Sequence, residues 1–250
     1  MTILCYHSVD PRWESPMAVT PETFAAHASW LRRNRRVLDL RDAVGRLDAT
    51  GRLPRGTTAL TFDDGFAELH EHLLPVLLRE RLPATVFLVA ETLTPGGRPV
   101  DWVDTPGTEP LRTLTLDQVL EMQDAGVTFE SHSWAHTDLT ALSEEDCERD
   151  LRDSRELLSD LLGRSVTQLA YPRGRHSAVV RRCAERAGYT AAFTLPERPE
   201  EPGPFAVPRV GIHRGNGPWV LRAKAARPYL PFRTSDRTAR AVRALHGVRR

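Results

Sequence analysis

The sequence predicts an α/β protein, in which helices cover a parallel sheet. Along its 250 residues, short apolar segments alternate with segments whose apolar residues recur at helical spacing. Such alternation is typical of parallel strands that are joined by helices. About seven of these units occupy roughly 215 residues, and this number favours a single closed β/α barrel over an open sheet.

Seven segments have the apolar, β-branched composition of buried strands. These segments are residues 2–6, 57–62, 84–89, 127–130, 167–171, 190–194 and 207–212. Five segments between them predict helices. These are residues 21–33, 66–81, 116–125, 143–162 and 177–187. The segment 91–112 is rich in Pro, Gly and Thr and predicts a loop that borders a functional site.

Capping residues support the predicted helix ends. Thr20 and Pro21 are suited to the N-cap and the first turn of the first helix. Ser143 and Asp146 have the spacing of a capping box. Gly163 is expected to end that helix as a C-cap.

The composition is that of a soluble globular protein. Apolar residues make up 40% of the chain and charged residues 27%, which excludes a wholly disordered or fibrous chain. No segment approaches the ~20 apolar residues that a membrane-spanning helix needs. Met1 leads directly into the first predicted strand without a signal-peptide pattern, and the three cysteines form no CxxC pair. We therefore expect a cytoplasmic protein with reduced thiols.

Positive charge is concentrated at the C-terminus. Residues 219–250 carry nine basic residues and one acidic residue, a net charge of +8, whereas residues 1–218 carry −7. We therefore expect residues 1–218 to form the barrel and residues 219–250 to form a basic helix or tail. A closing helix followed by a solvated tail is the simpler interpretation. Contact with an anionic membrane surface is the alternative, and we expect no nucleic-acid partner.

Polar side chains follow four of the predicted strands at the point where each strand ends. His7 follows the first strand, and two aspartates at residues 63–64 follow the second. His132 and His136 follow the fourth strand, and the sequence Tyr-Pro-Arg-Gly at residues 171–174 ends the fifth. Because the carboxyl ends of parallel strands meet at one end of a barrel, we expect these residues to share one site.

This set of residues suits a metal-dependent reaction. Two histidines four residues apart can bind one metal ion, and a carboxylate completes a ligand set that leaves coordination positions open. A metal ion with open positions lowers the pKa of a water molecule and polarises a substrate carbonyl. A second aspartate can then serve as a general base.

Each of these patterns also has a simpler explanation when it stands alone. An HxxxH spacing is a frequent accident on protein surfaces, and Asp-Asp-Gly and Tyr-Pro-x-Gly are common turn sequences. His7 alone is more simply explained as a buried, hydrogen-bonded histidine. Their joint occurrence at strand ends, in this order, favours a functional site over coincidence.

The motifs resemble those of a known family. TFDDG at residues 61–65 and HSWAH at residues 132–136 resemble the motifs of the polysaccharide deacetylase family, also described as the NodB-homology domain and as carbohydrate esterase family four. CYHSV at residues 5–9 and AYPRG at residues 170–174 resemble the branch with YHxV and YPxG motifs, which includes poly-N-acetylglucosamine deacetylases. The resemblance covers roughly residues 2–215 and implies a distorted (β/α)7 barrel.

The resemblance implies a role for each site residue. By their positions in the motifs, Asp64, His132 and His136 would bind a divalent metal ion, commonly zinc. Asp63 would be the general base, and the backbone N–H of Arg173 would help to hold the oxyanion.

The resemblance also implies that a histidine at the start of the barrel, His7, is the general acid. Asp63 nearby would raise the pKa of this imidazole. His213, which follows the last predicted strand, is the rival candidate. The arginine that orients the base in better-known members aligns with Ala170 and is missing here, and Arg209 is the candidate to replace it.

The implied activity is hydrolysis of an N-acetyl group on a sugar, which releases acetate and a free amine. Because the sequence shows no export signal, we expect a cytoplasmic sugar intermediate, a lipid-linked precursor or an N-acetylated natural-product sugar as the substrate. Hydrolysis of another amide, such as a ureide or a natural-product amide, is the enzymatic alternative. A degenerate sugar-binding or assembly protein is the non-enzymatic alternative, and the intact aspartate pair and HxxxH pattern argue against it. The sequence does not predict the oligomeric state.

Overall fold

The computed structural model describes residues 1–50, 54, 56–200, 203–226 and 228–235. Its strands are β1 (Thr2–Tyr6), β2 (Ser8–Val9), β3 (Ala18–Val19), β4 (Arg36–Val37), β5 (Thr57–Phe62), β6 (Thr85–Leu88), β7 (Thr128–Ser131), β8 (Gln168–Ala170), β9 (Ala191–Thr194), β10 (Val207–Pro208) and β11 (Val210–Gly211). Its α-helices are α1 (Pro21–Asn34), α2 (Leu40–Thr50), α3 (Leu74–Glu80), α4 (Leu116–Asp124), α5 (Glu144–Leu162), α6 (Ala178–Arg186), α7 (Pro218–Lys224) and α8 (Tyr229–Thr234). A π turn covers Leu69–Leu73, and 3₁₀ turns cover Ala90–Leu93, Leu139–Ala141 and Pro172–Gly174.

Among the described residues, parallel strands form a closed barrel with seven strand positions, and β10 and β11 together fill one of these positions. The order around the sheet is β11, β1, β5, β6, β7, β8, β9 and β10, and β4 pairs beside β5. Only Arg209 separates β10 from β11, so that residues 207–211 pair with β9 through their first half and with β1 through their second half. Arg209 N–H donates to Thr194 O at 3.0 Å, and Ile212 N–H donates to Cys5 O at 2.7 Å. The predicted single-domain (β/α)7 barrel is confirmed, and the break at Arg209 is one of its distortions.

Apolar side chains from the strands fill the barrel interior. Ile3, Ala59, Phe87, Ala170 and Phe193 belong to one buried cluster there. Strands that are buried on both faces explain why the strand segments are continuously apolar rather than alternating. The apolar faces of the helices form a second, larger layer outside the sheet.

The N-caps predicted at Thr20 and Ser143 are observed, but at Ser143 the Asp146 carboxylate accepts the side-chain hydroxyl, and only the N-cap half of the predicted capping box is formed. The Thr20 side chain accepts the backbone N–H of Thr23, and the Ser143 side chain accepts that of Asp146. Gly163 ends α5 with φ +64°, a left-handed conformation that favours glycine.

The helix predicted over residues 66–81 begins later than expected. Phe66 pairs with Thr113 in an antiparallel β-bridge, which holds the start of this segment in a non-helical conformation. The π turn and α3 follow this bridge. Helix α2 was not predicted, because Gly45 lies at its centre and weakens the helical pattern.

Residues 219–250 are described only in part. Leu221 of α7 is fully buried, so this helix packs on the barrel. Arg227 and residues 236–250 lie outside the described residues, and the boundary at residue 218, the solvated tail and the membrane contact stay predictions. In the described part of the chain, no helix combines the length and apolar character that crossing a membrane requires.

Candidate active site

The polar residues that follow β1, β5, β7 and β8 lie together at one end of the barrel. Side chains at alternate strand positions face the same side. The interior side of β1 therefore continues from Ile3 to Cys5 and His7, and that of β5 continues from Ala59 to Asp63. The carboxyl ends of the strands thus deliver the site residues, as expected of a parallel barrel.

Asp64, His132 and His136 form a compact group of potential metal ligands. One ligand atom of each lies within 4.8 Å of the other two. Asp64 Oδ1 is 3.3 Å from His136 Nε2 and 3.7 Å from His132 Nε2, and all three side chains are buried. The structure therefore brings together the three residues that the family resemblance assigns to a metal ion.

Neighbouring groups fix the orientation of these side chains. His132 Nδ1 lies 2.8 Å from the carbonyl oxygen of Ala170, so this nitrogen carries the proton and donates it, which leaves the Nε2 lone pair facing Asp64. Trp102 Nε1 donates to Asp64 Oδ1 at 3.0 Å. The Trp102 ring also stacks on His136 with a centroid distance of 5.2 Å. Trp102 comes from the loop that was predicted to border a site.

The donor set fits a divalent metal ion. Asp64 Oδ2 and His136 Nδ1 are buried atoms that have no hydrogen-bond partner among the described residues. Burial, together with the neighbouring Asp63, raises the pKa of Asp64 to about 8. Burial lowers the pKa of His132 and of His136. A bound cation would supply the counter-charge that Asp64 lacks and would favour its ionised form beside two neutral imidazoles.

Asp63 is paired with a different cation. Its Oδ1 and Oδ2 accept from the two terminal nitrogens of Arg209 at 2.6 and 2.7 Å. Both side chains are at most 2% exposed. Burial disfavours the carboxylate, but the Arg209 guanidinium outweighs this effect and holds the pKa of Asp63 well below its usual range. Two adjacent aspartates therefore differ sharply in their electrostatic surroundings.

Arg209 is the arginine that the sequence offers as a replacement for the one missing at Ala170. Besides Asp63, it donates to Thr61 Oγ1 at 3.2 Å. Cys5 and His7 form a second group of potential ligands with Asp63, also within 4.8 Å of one another. Because the Arg209 guanidinium already occupies both Asp63 oxygens, we assign no second metal ion to this group. In it, Cys5 Sγ donates to Asp63 Oδ2 at 3.3 Å.

The two candidate general acids differ in their surroundings. His7 lies within 4.8 Å of Asp63, whereas His213 is an exposed residue beyond β11. Burial lowers the pKa of His7 to about 4. Asp63 acts in the expected direction and favours the protonated imidazole, but burial outweighs this effect. Burial and the nearby Lys224 also lower the pKa of His213.

The turn that follows β8 places Arg173 beside the site. Gly174 N–H donates to Tyr171 O at 2.8 Å and closes the turn. The Arg173 side chain donates to Trp102 O at 2.9 Å and pairs with Asp104 at 3.3 Å. These contacts tie the turn to the loop that carries Trp102.

Backbone strain is concentrated at this end of the barrel. Asp64, Ser133, His136 and Arg173 have φ between +56° and +69°, a left-handed conformation that residues with a Cβ rarely adopt. Arg81, at the end of α3, is the fifth non-glycine residue of this kind in the described chain. Such strain persists only where the surrounding structure imposes it, and it clusters at functional sites.

Comparison with known proteins agrees with the motifs. Residues 50–192 match the family model described as polysaccharide deacetylase. YxkH of Bacillus subtilis is 26% identical over 86% of this chain and 72% of its own length. The poly-β-1,6-N-acetyl-D-glucosamine N-deacetylase of Staphylococcus epidermidis is 24% identical over 77% of this chain and 67% of its own length.

A solved structure shows the same fold. The deacetylase PplD of Streptococcus pyogenes, in complex with acetate, superposes with a TM-score of 0.76 at 22% identity. The superposition covers 90% of this chain and 98% of that one. Since the family model matches more than half of the residues, the chain belongs to the polysaccharide deacetylase family.

Proposed function

We propose that this family member is a metal-dependent N-deacetylase, which hydrolyses the acetamido group of an N-acetylated sugar to acetate and a free amine. The contrast between two adjacent aspartates carries this proposal. Asp64 Oδ1 lies 3.7 and 3.3 Å from the Nε2 atoms of His132 and His136, whereas both oxygens of Asp63 accept from Arg209. The first arrangement suits a metal ligand, and the second holds an ionised carboxylate in a fixed orientation beside it, where it can act as a proton acceptor.

Asp64, His132 and His136 would hold the metal ion. We propose zinc, because two imidazole nitrogens and one carboxylate oxygen form a ligand set that zinc favours. When bound, the ion would polarise the amide carbonyl and acidify the attacking water. Trp102 would keep the ligands oriented, since it donates to Asp64 and stacks on His136.

Asp63 would accept the proton of the attacking water. Its Oδ2 lies 4.0 Å from His132 Nε2, on the side of the proposed metal ligands. The two parallel hydrogen bonds from Arg209 fix the plane of the carboxylate. Arg209 is therefore a positioning residue that acts through Asp63.

His7 would protonate the departing nitrogen, because an amide anion is too basic to leave unaided. A neutral His7 must first receive a proton. Asp63 can supply it after accepting the proton of the water, since its carboxylate lies within 4.8 Å of the imidazole. His213 is the alternative acid at the exposed edge of the site.

The backbone N–H of Arg173 would stabilise the oxyanion. This residue is held in a left-handed turn, and its side chain is tied to Trp102 and Asp104. Its N–H is therefore fixed before substrate binds. Preorganised donors of this kind stabilise the charge that develops on an amide oxygen during attack.

An N-acetylated hexosamine is the substrate class that we propose. The Staphylococcus epidermidis relative is named for a polymer of N-acetyl-D-glucosamine. That polymer carries an acetamido group on each sugar ring, and this is the group that we propose the site hydrolyses. A polymer and a small sugar intermediate both contain it.

Mass spectrometry of candidate substrates tests the proposal. Metal-loaded protein is incubated with N-acetylglucosamine, its β-1,6-linked oligomers and a cyclic ureide, and each product is examined for loss of an acetyl group. We expect acetate and a free amine from at least one sugar, and much less from the Asp63→Asn variant. Hydrolysis of the ureide alone would replace the proposed substrate class. Binding of sugars without any hydrolysis would point to the sugar-binding alternative.

A further inference from the structure

A cavity of about 250 Å³ lies beside the candidate active site, where α7 and α8 cover the barrel. Its lining includes Arg173 and Arg209, which both belong to the site already described. The lining also carries Glu197, His213, Lys224 and Arg233. The cavity therefore adjoins the active site, and most of the ionisable side chains in its lining are basic.

Lys224 contributes a buried positive charge to this cavity. The residue is only 9% exposed. Its Nζ donates to Gly211 O and to Asn216 Oδ1, both at 2.7 Å. These two acceptors are neutral, and Lys224 forms no ion pair with a carboxylate of the described residues. Since an ammonium group has three donors, one N–H remains for a ligand.

Arg233, on α8, contributes a second positive charge. Its side chain makes no hydrogen bond or ion pair with any residue that the structure describes. Its charge acts on Lys224 and His213, and it disfavours the protonated form of both. Glu197 is the acidic residue of the lining, but it is exposed and pairs with neither cation in the described chain.

The other two arginines of the lining are already neutralised. Arg209 is paired with Asp63, and Arg173 is paired with Asp104. The positive charge that no described carboxylate neutralises in this cavity therefore comes from two residues, Lys224 and Arg233.

A buried cation without a counter-ion is costly, and a bound anion would offset this cost. Burial, and then the charge of Arg233, lowers the pKa of Lys224 to about 8. An anion in the cavity would reverse both effects, because it would favour the protonated lysine and screen it from Arg233. A lysine and an arginine that converge on one space form a common arrangement for binding phosphate or carboxylate.

We propose that this cavity binds an anionic group, a phosphate or a carboxylate, which the substrate carries next to its N-acetylated sugar. The inference rests on the proposed deacetylase function, since it places the anion on the same molecule as the acetamido group. Arg209 connects the two places, because it lines the cavity and holds Asp63. The cavity would thus select anionic sugars over neutral ones.

Isothermal titration calorimetry with the metal-loaded full chain tests the proposal. The probes are N-acetylglucosamine, N-acetylglucosamine 1-phosphate and N-acetylmuramic acid, which carry no anion, a phosphate and a carboxylate. We expect at least one anionic sugar to bind about tenfold or more tightly than the neutral sugar. The anion that binds more tightly identifies the group that the cavity accepts.

Charge-matched variants separate this site from general electrostatic attraction. Arg233→Gln should lose about tenfold in affinity for the anionic sugar, whereas Arg233→Lys should retain most of it. Arg46→Gln is the control, because Arg46 is exposed on α2, whose Leu40 and Val44 pack with Ile3 at the opposite end of the barrel. Circular dichroism confirms that each variant is folded.

Two results would overturn the inference. One is equal affinity for neutral and anionic sugars, and the other is an equal loss in Arg233→Gln and Arg46→Gln. Acetate release is assayed separately on the same protein and sugars, so that failure of the deacetylase proposal is distinguishable from failure of this inference. In that case the anionic sugar would still bind through Arg233, but none of the sugars would release acetate.

Discussion

Asp63 and Arg209 form a bidentate ion pair inside the barrel, with N–O distances of 2.6 and 2.7 Å. The pair joins the end of β5 to the break between β10 and β11. One contact therefore links the closure of the barrel to the orientation of the proposed base. Asp64, the next residue, forms no ion pair with an arginine or lysine of the described chain and lies among the proposed metal ligands instead.

Removal of Arg209 should destabilise the protein strongly. Arg209→Met leaves the Asp63 carboxylate buried without a counter-charge, and we expect a loss of about 3–5 kcal/mol in the free energy of unfolding. The double variant Asp63→Asn/Arg209→Met should recover part of this loss but none of the deacetylation. Urea denaturation and acetate release measure the two effects. A double variant as unstable as the sum of the single variants would show that the two side chains are not coupled.

His7→Ala should slow hydrolysis of an amide far more than hydrolysis of an aryl acetate. The aryl oxide leaves without a proton, so that loss of a general acid affects mainly the amide. The rates of both reactions are compared in His7→Ala and in His213→Ala. Equal losses on both substrates would mean that His7 supports the shape of the site. An amide-selective loss in His213→Ala would transfer the acid role to that residue.

Two glycines with similar backbone conformations should respond differently to alanine. Gly163 and Gly174 have φ of +64° and +69°. A Cβ on Gly163 meets no atom within 4 Å, whereas a Cβ on Gly174 would lie 2.5 Å from Leu195 N. Gly163→Ala should cost about 1–2 kcal/mol for the left-handed backbone, and Gly174→Ala should cost clearly more. Gly174→Ala should also reduce activity, because the turn that holds Arg173 would shift. Equal stabilities in urea denaturation would argue against this close packing.

The free energy of unfolding should depend on alkaline pH through the titration of Lys224. The pKa of this lysine is lowered from 10.5 to about 8 by burial and by Arg233. Between these values the unfolded chain binds more protons than the folded one, so the contribution of Lys224 to stability rises with pH. Lys224→Met should remove this rise, and a saturating anionic sugar should reduce it. The difference between wild type and Lys224→Met in urea denaturation at pH 8 and pH 10 measures it, and a constant difference would contradict the shift.

The strand ends could be predicted from the sequence because apolar segments stop abruptly at polar residues. His7, Asp64 and His132 each follow such a segment, and the geometry of a parallel barrel brings them together. Whether Arg209 pairs with Asp63 depends on how the last strand closes the barrel. Residues 207–211 pair with both β9 and β1, and this placement turns an arginine inside a predicted strand toward Asp63.

Other site residues had no sequence signal. Trp102 lies in a loop without periodicity, and its contacts with Asp64 and His136 depend on the course of that loop across the barrel end. Lys224 was assigned to a basic tail by its charge. Its burial depends on the packing of α7, where Leu221 is fully buried. Trp102 and Lys224 lie in segments whose positions depend on tertiary contacts, and such contacts leave no local pattern in the sequence.

Acetate release measured together with metal content tests the central claim most directly. Wild-type protein should bind one divalent ion, lose acetate release when a chelator removes the ion, and regain it with zinc. His132→Ala and His136→Ala should lack the ion, because each removes one of three ligands. Asp63→Asn should keep the ion but release acetate about 10²-fold more slowly or worse. Full metal content in both histidine variants, or unchanged acetate release from metal-free wild type, would contradict the account.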